Sequence, residues 1–415
     1  MTEARKTAIW MAVALPLALL TWVTAPRNRT PAILAERGEV FFPQFRDPNE
    51  ATSLEVMEYD AQSAEVRPFK VENRNGRWTI PSQHDYPADA KDRLATTAAA
   101  IIALKKDDVA SDNAADYERC GVLDPLDTAA ASSGRGTRLL VRGMRDQVLA
   151  DMILGAAVTG HPGFRYVRQT GQRRVYMSNV GDLQVSTAFG DWIERDLLQV
   201  NPDEINAINL RNYALDRSTG QVNPGETLLL QKDAGDGWAI NGLGANETLD
   251  IAALSALLKN IAGLTITGVL PKPPGITATL SHPANSASIA PADRTDLASK
   301  GFYLAPTGQL VSNRGEVVIR TTRGVFYTLR FGDIALGADA PAKPGTAARE
   351  SRYLFIMADF DPQSAGTPGR AAEGVEKVQL LRARFAPWYY VIAAESFAKI
   401  RLQRSDLVKP KRIAP

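Results

Sequence analysis

The chain has 415 residues, 45% of them hydrophobic and 23% charged, a composition typical of folded globular proteins with two or three domains. Its 48 Lys and Arg side chains nearly balance its 46 Asp and Glu side chains, so net charge does not predict binding to nucleic acid or to an acidic surface. The single cysteine, Cys120, excludes an internal disulfide and is predicted to be a buried, inert thiol rather than a zinc ligand.

The first predicted element is a membrane-spanning helix over residues 8–25, preceded by a cytoplasmic tail, residues 1–7. This segment carries no charge, and as a helix it would extend about 27 Å, close to the thickness of the hydrocarbon core. Trp10 and Trp22 lie near its ends, where indole rings favour the membrane interface. The alternative is a cleaved signal peptide, but Pro26 would then be the first mature residue, which signal peptidases generally reject. The sequence favours an uncleaved, single-pass anchor.

The orientation of this anchor follows from the short tail. Basic residues are equal in number on the two sides of the segment, so by the positive-inside rule only the positive charge of the free amino terminus distinguishes the two orientations. A seven-residue tail is easier to retain in the cytoplasm than to export. We therefore predict localisation to the cell membrane, with the soluble portion on the extracytoplasmic, periplasmic side.

Residues 26–52 are predicted to be a linker that docks onto the following domain through Phe41, Phe42 and Phe45. A first unit then covers residues 53–200. Alternating polar and apolar residues predict a strand over 53–59, and two further strands flank the Asn75-Gly76 step, which favours a tight hairpin. The later elements are a helix over 90–105 capped by Asp89, hairpins over 137–154 and 164–178, and a helix within 181–200 with Trp192 on its apolar side.

A second, diverged unit covers residues 201–408, followed by a tail over residues 409–415. It repeats the order of strands, helix and hairpins, with an inserted loop over 271–295 that is rich in Pro, Ser and Ala. The predicted elements are strands over 204–210, 227–231 and 237–240, a helix over 250–264, a hairpin over 316–331, strands over 353–359, 376–383 and 388–392, and a helix over 394–402.

The repeated order predicts a duplication. Each unit places Trp-x-Ile at a strand end and an Asp before a helix, and the residues concerned are Trp78, Ile80 and Asp89 in the first unit and Trp238, Ile240 and Asp250 in the second. We interpret these six residues as structural anchors, and we expect Trp78→Ala to cost about 3–5 kcal/mol if that side chain is fully buried. The predicted fold class is α+β: two tandem, duplicated units of antiparallel sheet with helices on one face, behind one transmembrane helix.

Three motifs of the first unit resemble one known family. They are Trp78-x-Ile80, the run Tyr86-Pro87-Ala88-Asp89, and Tyr117-x-x-x-Gly121-Val122-Leu123-Asp124-Pro125, and a hairpin closing on Gly155 follows them. Together they resemble the domain of unknown function 4340. The resemblance covers the first unit well and the second weakly, because the Tyr-Pro-Ala-Asp and Asp-Pro elements are missing there. It implies a single-pass protein with an accessory role beside ABC-type transporters and auxiliary subunits of the gliding-motility kind, and it implies no catalytic residues.

Candidate chemistry is sparse. His84 and Asp85 could form an acid/base pair, but the equivalent loop of the second unit has neither residue, and the three histidines of the chain are widely spaced. Gly242-Leu243-Gly244 lacks the third glycine of a dinucleotide-binding turn. The sequence therefore predicts no metal, no cofactor and no enzymatic activity.

One hairpin combines arginine and tyrosine, with Arg165, Arg168, Arg173 and Arg174 surrounding Tyr166 and Tyr176. This pattern is interpreted as an interaction patch for an anionic polymer, lipid head groups or a partner protein. The alternative is that these arginines only solubilise an outward sheet face.

Two functions are compatible with these features. The first is a non-catalytic, extracytoplasmic accessory or scaffold protein of an ABC-type transport or envelope system, with the membrane and transporter or auxiliary membrane subunits as partners. The second is a binding module for an envelope ligand or polymer held in the cleft between the two units. A pocket lined by both units, with converging polar groups, would favour the second.

Overall fold

The computed structural model describes residues 36–61, 63–181, 183, 185–216, 221–233, 235, 237–280, 289–305, 307–337, 350–364 and 368–411. None of the helices in these ranges is both long and apolar enough to cross a membrane. The predicted span over residues 8–25 and the tail before it lie outside the described residues.

A nine-stranded sheet forms the first half of the fold. All its ladders are antiparallel, and its strand order is β4-β3-β2-β1-β6-β7-β8-β9-β5. The strands are β1 (Ser53–Asp60), β2 (Glu65–Arg74), β3 (Arg77–Ile80), β4 (Tyr86–Pro87), β5 (Asp108–Ser111), β6 (Thr137–Arg142), β7 (Val148–Ala157), β8 (Phe164–Gln169) and β9 (Val175–Asn179).

The predicted hairpin at Asn75-Gly76 is confirmed. Arg74 pairs with Arg77 across a two-residue turn, in which Asn75 has φ 54° and Gly76 has φ 81°. Asn and Gly tolerate positive φ, and a turn of this hand matches the twist of the two strands.

The helices of the first unit differ from two predictions. They are α1 (Lys91–Ala103) and the short α2 (Tyr117–Cys120). Asp89 does not cap α1, because the N-cap residue is Ala90 and makes no side-chain capping hydrogen bond. Instead the Asp89 backbone N–H donates to the Trp192 carbonyl oxygen at 2.8 Å.

The predicted helix within residues 181–200 is also wrong. The only helical element described there is a 3₁₀ turn, Phe189–Asp191. Side-chain hydrogen bonds compete with a helical ladder in this stretch: Ser186 Oγ bonds Asp191 at 2.5 Å and accepts from the Ala188 N–H. The apolar residues, Trp192 among them, are buried by turns rather than by a helical face.

An eight-stranded antiparallel sheet forms the second half, in the order β14-β13-β10-β19-β20-β21-β22-β16. Its strands are β10 (Ile205–Arg211), β13 (Thr227–Lys232), β14 (Trp238–Ile240), β16 (Gly268–Pro271), β19 (Glu316–Thr321), β20 (Val325–Ile334), β21 (Ser351–Phe360) and β22 (Trp388–Ala393). Three two-stranded sheets add the pairs β11 (Ala214–Leu215) with β12 (Val222–Asn223), β15 (Glu247–Leu249) with β23 (Val408–Pro410), and β17 (Phe302–Leu304) with β18 (Leu310–Ser312).

The helices of the second half are α3 (Ile251–Ala262), α4 (Pro274–Leu280), α5 (Pro291–Ser299), α6 (Pro368–Phe385), α7 (Ala394–Ile400) and α8 (Arg404–Leu407). Asp250 caps α3 as predicted, accepting from the Ala252 and Ala253 N–H groups.

Two predictions for this half are wrong. The inserted loop over 271–295 contains α4 and the first part of α5. The predicted strand over 376–383 lies inside α6, where Val378, Leu381 and Phe385 are buried. Their spacings of three and four residues place them on one face of a helix.

The two large sheets follow the same path. In each, the three strands of an opening meander are followed by four further antiparallel strands, and the strand that comes after the first long helix closes the far edge; in the second sheet, α6 connects the last two of these four strands. The first sheet has β4 as an additional edge strand. The α+β class with antiparallel sheets is therefore confirmed.

One apolar core runs through both halves. It includes residues of both large sheets and of α1, α3 and α6. Phe41, Phe42 and Phe45 are all buried in it, which confirms that the linker docks through these rings. Across the junction, the rings of Tyr86 and Trp388 meet edge to face, with centroids 5.1 Å apart. This contact brings the end of the first meander next to β22.

Candidate functional site

The hairpin β8–β9 carries the predicted interaction patch, and most of its side chains contact the chain itself. Arg165 Nε donates to the Gly155 carbonyl oxygen at 2.8 Å. Arg168 is buried, donates to the Val122 carbonyl oxygen, and stacks over the Tyr117 ring at 4.4 Å. Arg173 is exposed, and Tyr166 is half-buried. The six residues therefore do not form one free surface.

Arg174 and Tyr176 fasten the linker to the sheet. Arg174 forms ion pairs with Glu36 at 2.8 Å and Asp112 at 2.6 Å, and the Tyr176 hydroxyl donates to Glu36. Burial, and then the adjacent carboxylate, raise the pKa of Tyr176 to about 12. The hydrogen bond from Tyr176 and the Arg174 charge hold the pKa of Glu36 below its usual value. These contacts assign the two side chains a structural role.

The other motifs do not form reactive sites. His84 and Asp85 are exposed, both have positive φ, and Asp85 pairs with Arg74 at 2.9 Å rather than with the histidine. In the Gly242 turn, Arg404 donates to the Gly242 carbonyl oxygen at 2.7 Å and also bonds Glu247. Among the described residues, no group of three or more His, Cys, Asp or Glu side chains is placed to hold a metal ion.

The predicted anchors differ in burial. Ile80 and Ile240 lie in the core, whereas Trp78 and Trp238 are only partly buried against it. The fully buried tryptophan is Trp192, whose indole N–H donates to the Ser186 carbonyl oxygen at 2.8 Å. Cys120 is buried, and burial raises the pKa of its thiol, in agreement with an inert role.

A cleft of about 660 Å³ lies between the two halves, and we call it the junction cleft. The β2–β3 turn, the strands β3 and β4 and the loop after Trp192 form one side. The end of α6 and the start of β22 form the other. Its lining residues are Arg74, Asn75, Arg77, Thr79, Asp85, Tyr86, Pro87, Glu194, Ala383, Arg384, Pro387 and Trp388.

Two buried polar atoms belong to residues that line the junction cleft. Thr79 is 6% exposed, and its Oγ1 has no hydrogen-bond partner among the described residues. The Nε of Arg384 is likewise buried without a described partner, although its Nη2 donates to the Asp196 carbonyl oxygen at 3.1 Å. Leaving such a group unsatisfied costs about 1–3 kcal/mol.

The charges at the cleft are unequally compensated. Arg74 is neutralised by ion pairs with Glu72 and Asp85. Arg77 is exposed and forms no ion pair with a described residue, and Arg384 bonds only a backbone oxygen. Glu194 is an exposed carboxylate of the lining. The charges of Arg77 and Arg384 are thus not neutralised by a described carboxylate.

Aromatic rings form the apolar part of the cleft. Tyr86 and Trp388 come from different halves and pack edge to face. Burial raises the pKa of Tyr86, so that its phenol is neutral at physiological pH. The Tyr390 hydroxyl donates to the Arg384 carbonyl oxygen at 3.1 Å and so fixes the end of α6. An apolar wall beside guanidinium donors suits a ligand with both a ring and a charge.

Sequence reasoning missed the junction cleft because its two sides are far apart in the chain. None of Arg77, Arg384 and Pro387 belongs to the predicted interaction patch. A pocket between the two units was named only as an alternative, without residues. The only local signal was the pairing of tyrosine and tryptophan with nearby basic residues at two separate turns.

A second internal feature is the buried Lys272. Its Nζ lies 3.6 Å from the Phe355 ring centroid and donates to the Phe385 carbonyl oxygen at 3.1 Å. It forms no ion pair with a described carboxylate, and burial lowers its pKa well below the usual value. The adjoining cavity measures only about 30 Å³ and holds little more than a water molecule, so it offers no room for a substrate.

Comparison with known proteins gives one match. Residues 78–283, just under half of the chain, match the family model described as Domain of unknown function (DUF4340). No curated protein and no solved structure matches the chain. The matched segment includes residues of both large sheets and part of the first side of the junction cleft, from Thr79 to Pro87 and Glu194, whereas Arg74, Asn75 and Arg77 precede it. The comparison supports membership of the domain-of-unknown-function family DUF4340 for this segment of the chain.

Proposed function

We propose that this protein is a binding module that holds an anionic envelope ligand in the junction cleft. The observation that carries the proposal is that both halves line one cleft, with Arg77 and Thr79 from the first and Arg384 from the second, and that neither guanidinium forms an ion pair with a described residue. A ligand bound there would touch both units at once. Its occupancy would therefore be coupled to their relative position.

The chemistry of the cleft suggests the kind of ligand. Guanidinium groups bind carboxylate or phosphate oxygens through paired hydrogen bonds. The half-buried Trp388 ring, backed by the buried Tyr86 ring, offers apolar surface on which a sugar ring can pack. An acidic oligosaccharide combines both features, and it is the ligand class that we propose.

Calorimetric titration of the full-length chain with a uronic-acid oligosaccharide tests this proposal. Arg77→Gln should weaken binding about tenfold, or about 1.4 kcal/mol, because it removes one charge-assisted contact. Since Arg77 is exposed, its replacement should leave folding unchanged.

Arg173→Gln is the matched control, because Arg173 is also exposed and lies on β8–β9 outside the cleft. A neutral oligosaccharide of the same length controls for charge. Equal losses in the two arginine variants, or a loss confined to Arg173→Gln, would move the site away from the cleft and refute the proposal.

A second candidate is an accessory or scaffold role beside an ABC-type transporter, with the soluble portion outside the cytoplasm. The family match supports it through the context that such domains imply. We further propose that the two halves are duplicated units, and the shared strand order supports this. We expect transporter subunits to co-purify with the full-length chain from membranes, and a reporter fused to its carboxyl end to be extracytoplasmic. A cytoplasmic reporter would contradict this role.

A further inference from the structure

Two arginines pack over one phenylalanine in the second half, and the charge of a third arginine acts on both of them. Arg352 lies on β21, Arg401 follows α7, and Arg314 is in the turn before β19. The Cζ atoms of Arg352 and Arg401 lie 4.6 Å and 5.8 Å from the ring centroid of Phe397. That ring is itself held edge to face against Phe331, with centroids 5.0 Å apart. We call Arg314, Arg352 and Arg401 the arginine cluster.

The positive charge of the arginine cluster is poorly compensated within the described chain. Its closest carboxylate is Glu350, 3.8 Å from Arg352 Nη2, and the Glu350 side chain is 57% exposed. Arg314 and Arg401 form no ion pair with a described residue. Burial and repulsion from Arg314 lower the pKa of both Arg352 and Arg401. Like charges that repel one another in this way are unfavourable unless an anion joins them.

Buried donors within the arginine cluster also favour the binding of an anion. Arg352 is only 8% exposed, and its Nη1 donates to the Gly332 carbonyl oxygen at 2.8 Å. The Nε atoms of Arg352 and Arg401 are both buried without a hydrogen-bond partner among the described residues. Stacking on Phe397 and the bond to Gly332 fix the guanidinium planes, so the free donors are preorganised.

We propose that the arginine cluster is a binding site for a phosphate group. Phosphate matches it better than a single carboxylate, because it carries more charge and more acceptor oxygens to bridge several guanidinium groups. The group can come from free phosphate or from the head group of an anionic phospholipid. The site shares no residue with the junction cleft and does not depend on the function proposed there.

The test is calorimetric titration of the full-length chain at constant ionic strength. One arm uses inorganic phosphate, and the other uses soluble short-chain phosphatidylglycerol, with short-chain phosphatidylcholine as the zwitterionic control. Arg401→Gln and Arg314→Gln should each weaken binding at least tenfold. If the two variants bind only phosphatidylglycerol more weakly, the head group is the source of the phosphate. If they bind inorganic phosphate more weakly, the source is the free ion.

Arg145→Gln is the matched control, since Arg145 is an exposed arginine in the β6–β7 turn. Urea unfolding separates binding from folding: without phosphate, Arg401→Gln should be no less stable than the original chain because it relieves repulsion. Adding phosphate should stabilise the original chain and not the variant. The proposal fails if neither probe gives saturable binding, or if Arg145→Gln weakens binding as much as the cluster variants.

Discussion

Trp192→Ala is expected to lower the free energy of unfolding by about 3–5 kcal/mol, the range for deleting a large buried side chain. Trp192 is fully buried, packs on Phe69 with ring centroids 5.8 Å apart, and lies under the Arg93 guanidinium at 5.3 Å. The substitution would leave a cavity and remove the indole hydrogen bond to Ser186. Urea denaturation of the full-length chain, followed by far-UV circular dichroism, measures the change.

Trp78→Ala is the matched control for this experiment. Trp78 lies on β3 in the same half of the fold but is only partly buried, so its removal should cost about 1–2 kcal/mol. The sequence alone predicted a cost of this size for Trp78 if its side chain is fully buried. In the structure Trp78 is only partly buried. If Trp78→Ala proved as costly as Trp192→Ala, this ranking by burial would be wrong.

Lys272→Met is expected to stabilise the protein by about 1–4 kcal/mol at neutral pH, the range seen when buried charged groups are replaced by apolar residues of similar volume. Methionine keeps the length of the aliphatic stem and fills the space between Phe355 and Phe385 without a charge to desolvate. Urea denaturation of the two proteins at neutral pH measures the difference.

The gain should also depend on pH. Because burial lowers the pKa of Lys272 in the folded state, the unfolded chain binds more protons between that value and the usual 10.5. The stability of the original chain therefore rises with pH across this window, by up to about 1.4 kcal/mol per unit, and is lost as the pH falls. The advantage of Lys272→Met should shrink toward pH 10.5 and then level off.

Lys300→Met provides the comparison. Lys300 is also largely buried and lies 5.0 Å from the Tyr389 ring, but it pairs with Asp296 at 2.5 Å. Its replacement leaves the Asp296 carboxylate without its cationic partner, with only the Tyr389 hydroxyl among the described residues still donating to it, and should not stabilise the protein. A stabilising effect in both variants, or a pH-independent gain in Lys272→Met, would contradict the assignment of a desolvated ammonium to Lys272.

Local patterns predicted the elements that are specified by nearby residues. Period-two alternation indicated β1, the Asn75-Gly76 step indicated the β2–β3 hairpin, and Asp250 indicated the start of α3, because each depends on backbone geometry within a few residues. The same reasoning failed for α6 and for residues 181–200. In α6, a short apolar run resembled a strand although its three- and four-residue spacing fits a helix.

The arginines show the limit of prediction most clearly. Arg174 looked like part of a surface patch, but its partner Glu36 lies far away in the linker, and only the folded chain brings the two together. The junction cleft likewise combines Arg77 with Arg384 through a core shared by both halves. Spacing along the chain carries no information about such contacts.

The sequence by itself determined the α+β class, and in each half the opening meander and the long helix after it, since these depend on local period and composition. The tertiary structure decided which tryptophan is the core anchor, which arginines are engaged within the chain and which remain available to an anion. The physical reason is that burial and charge compensation are set by residues distant in sequence. Neither can be read from the residues on one strand or one helix.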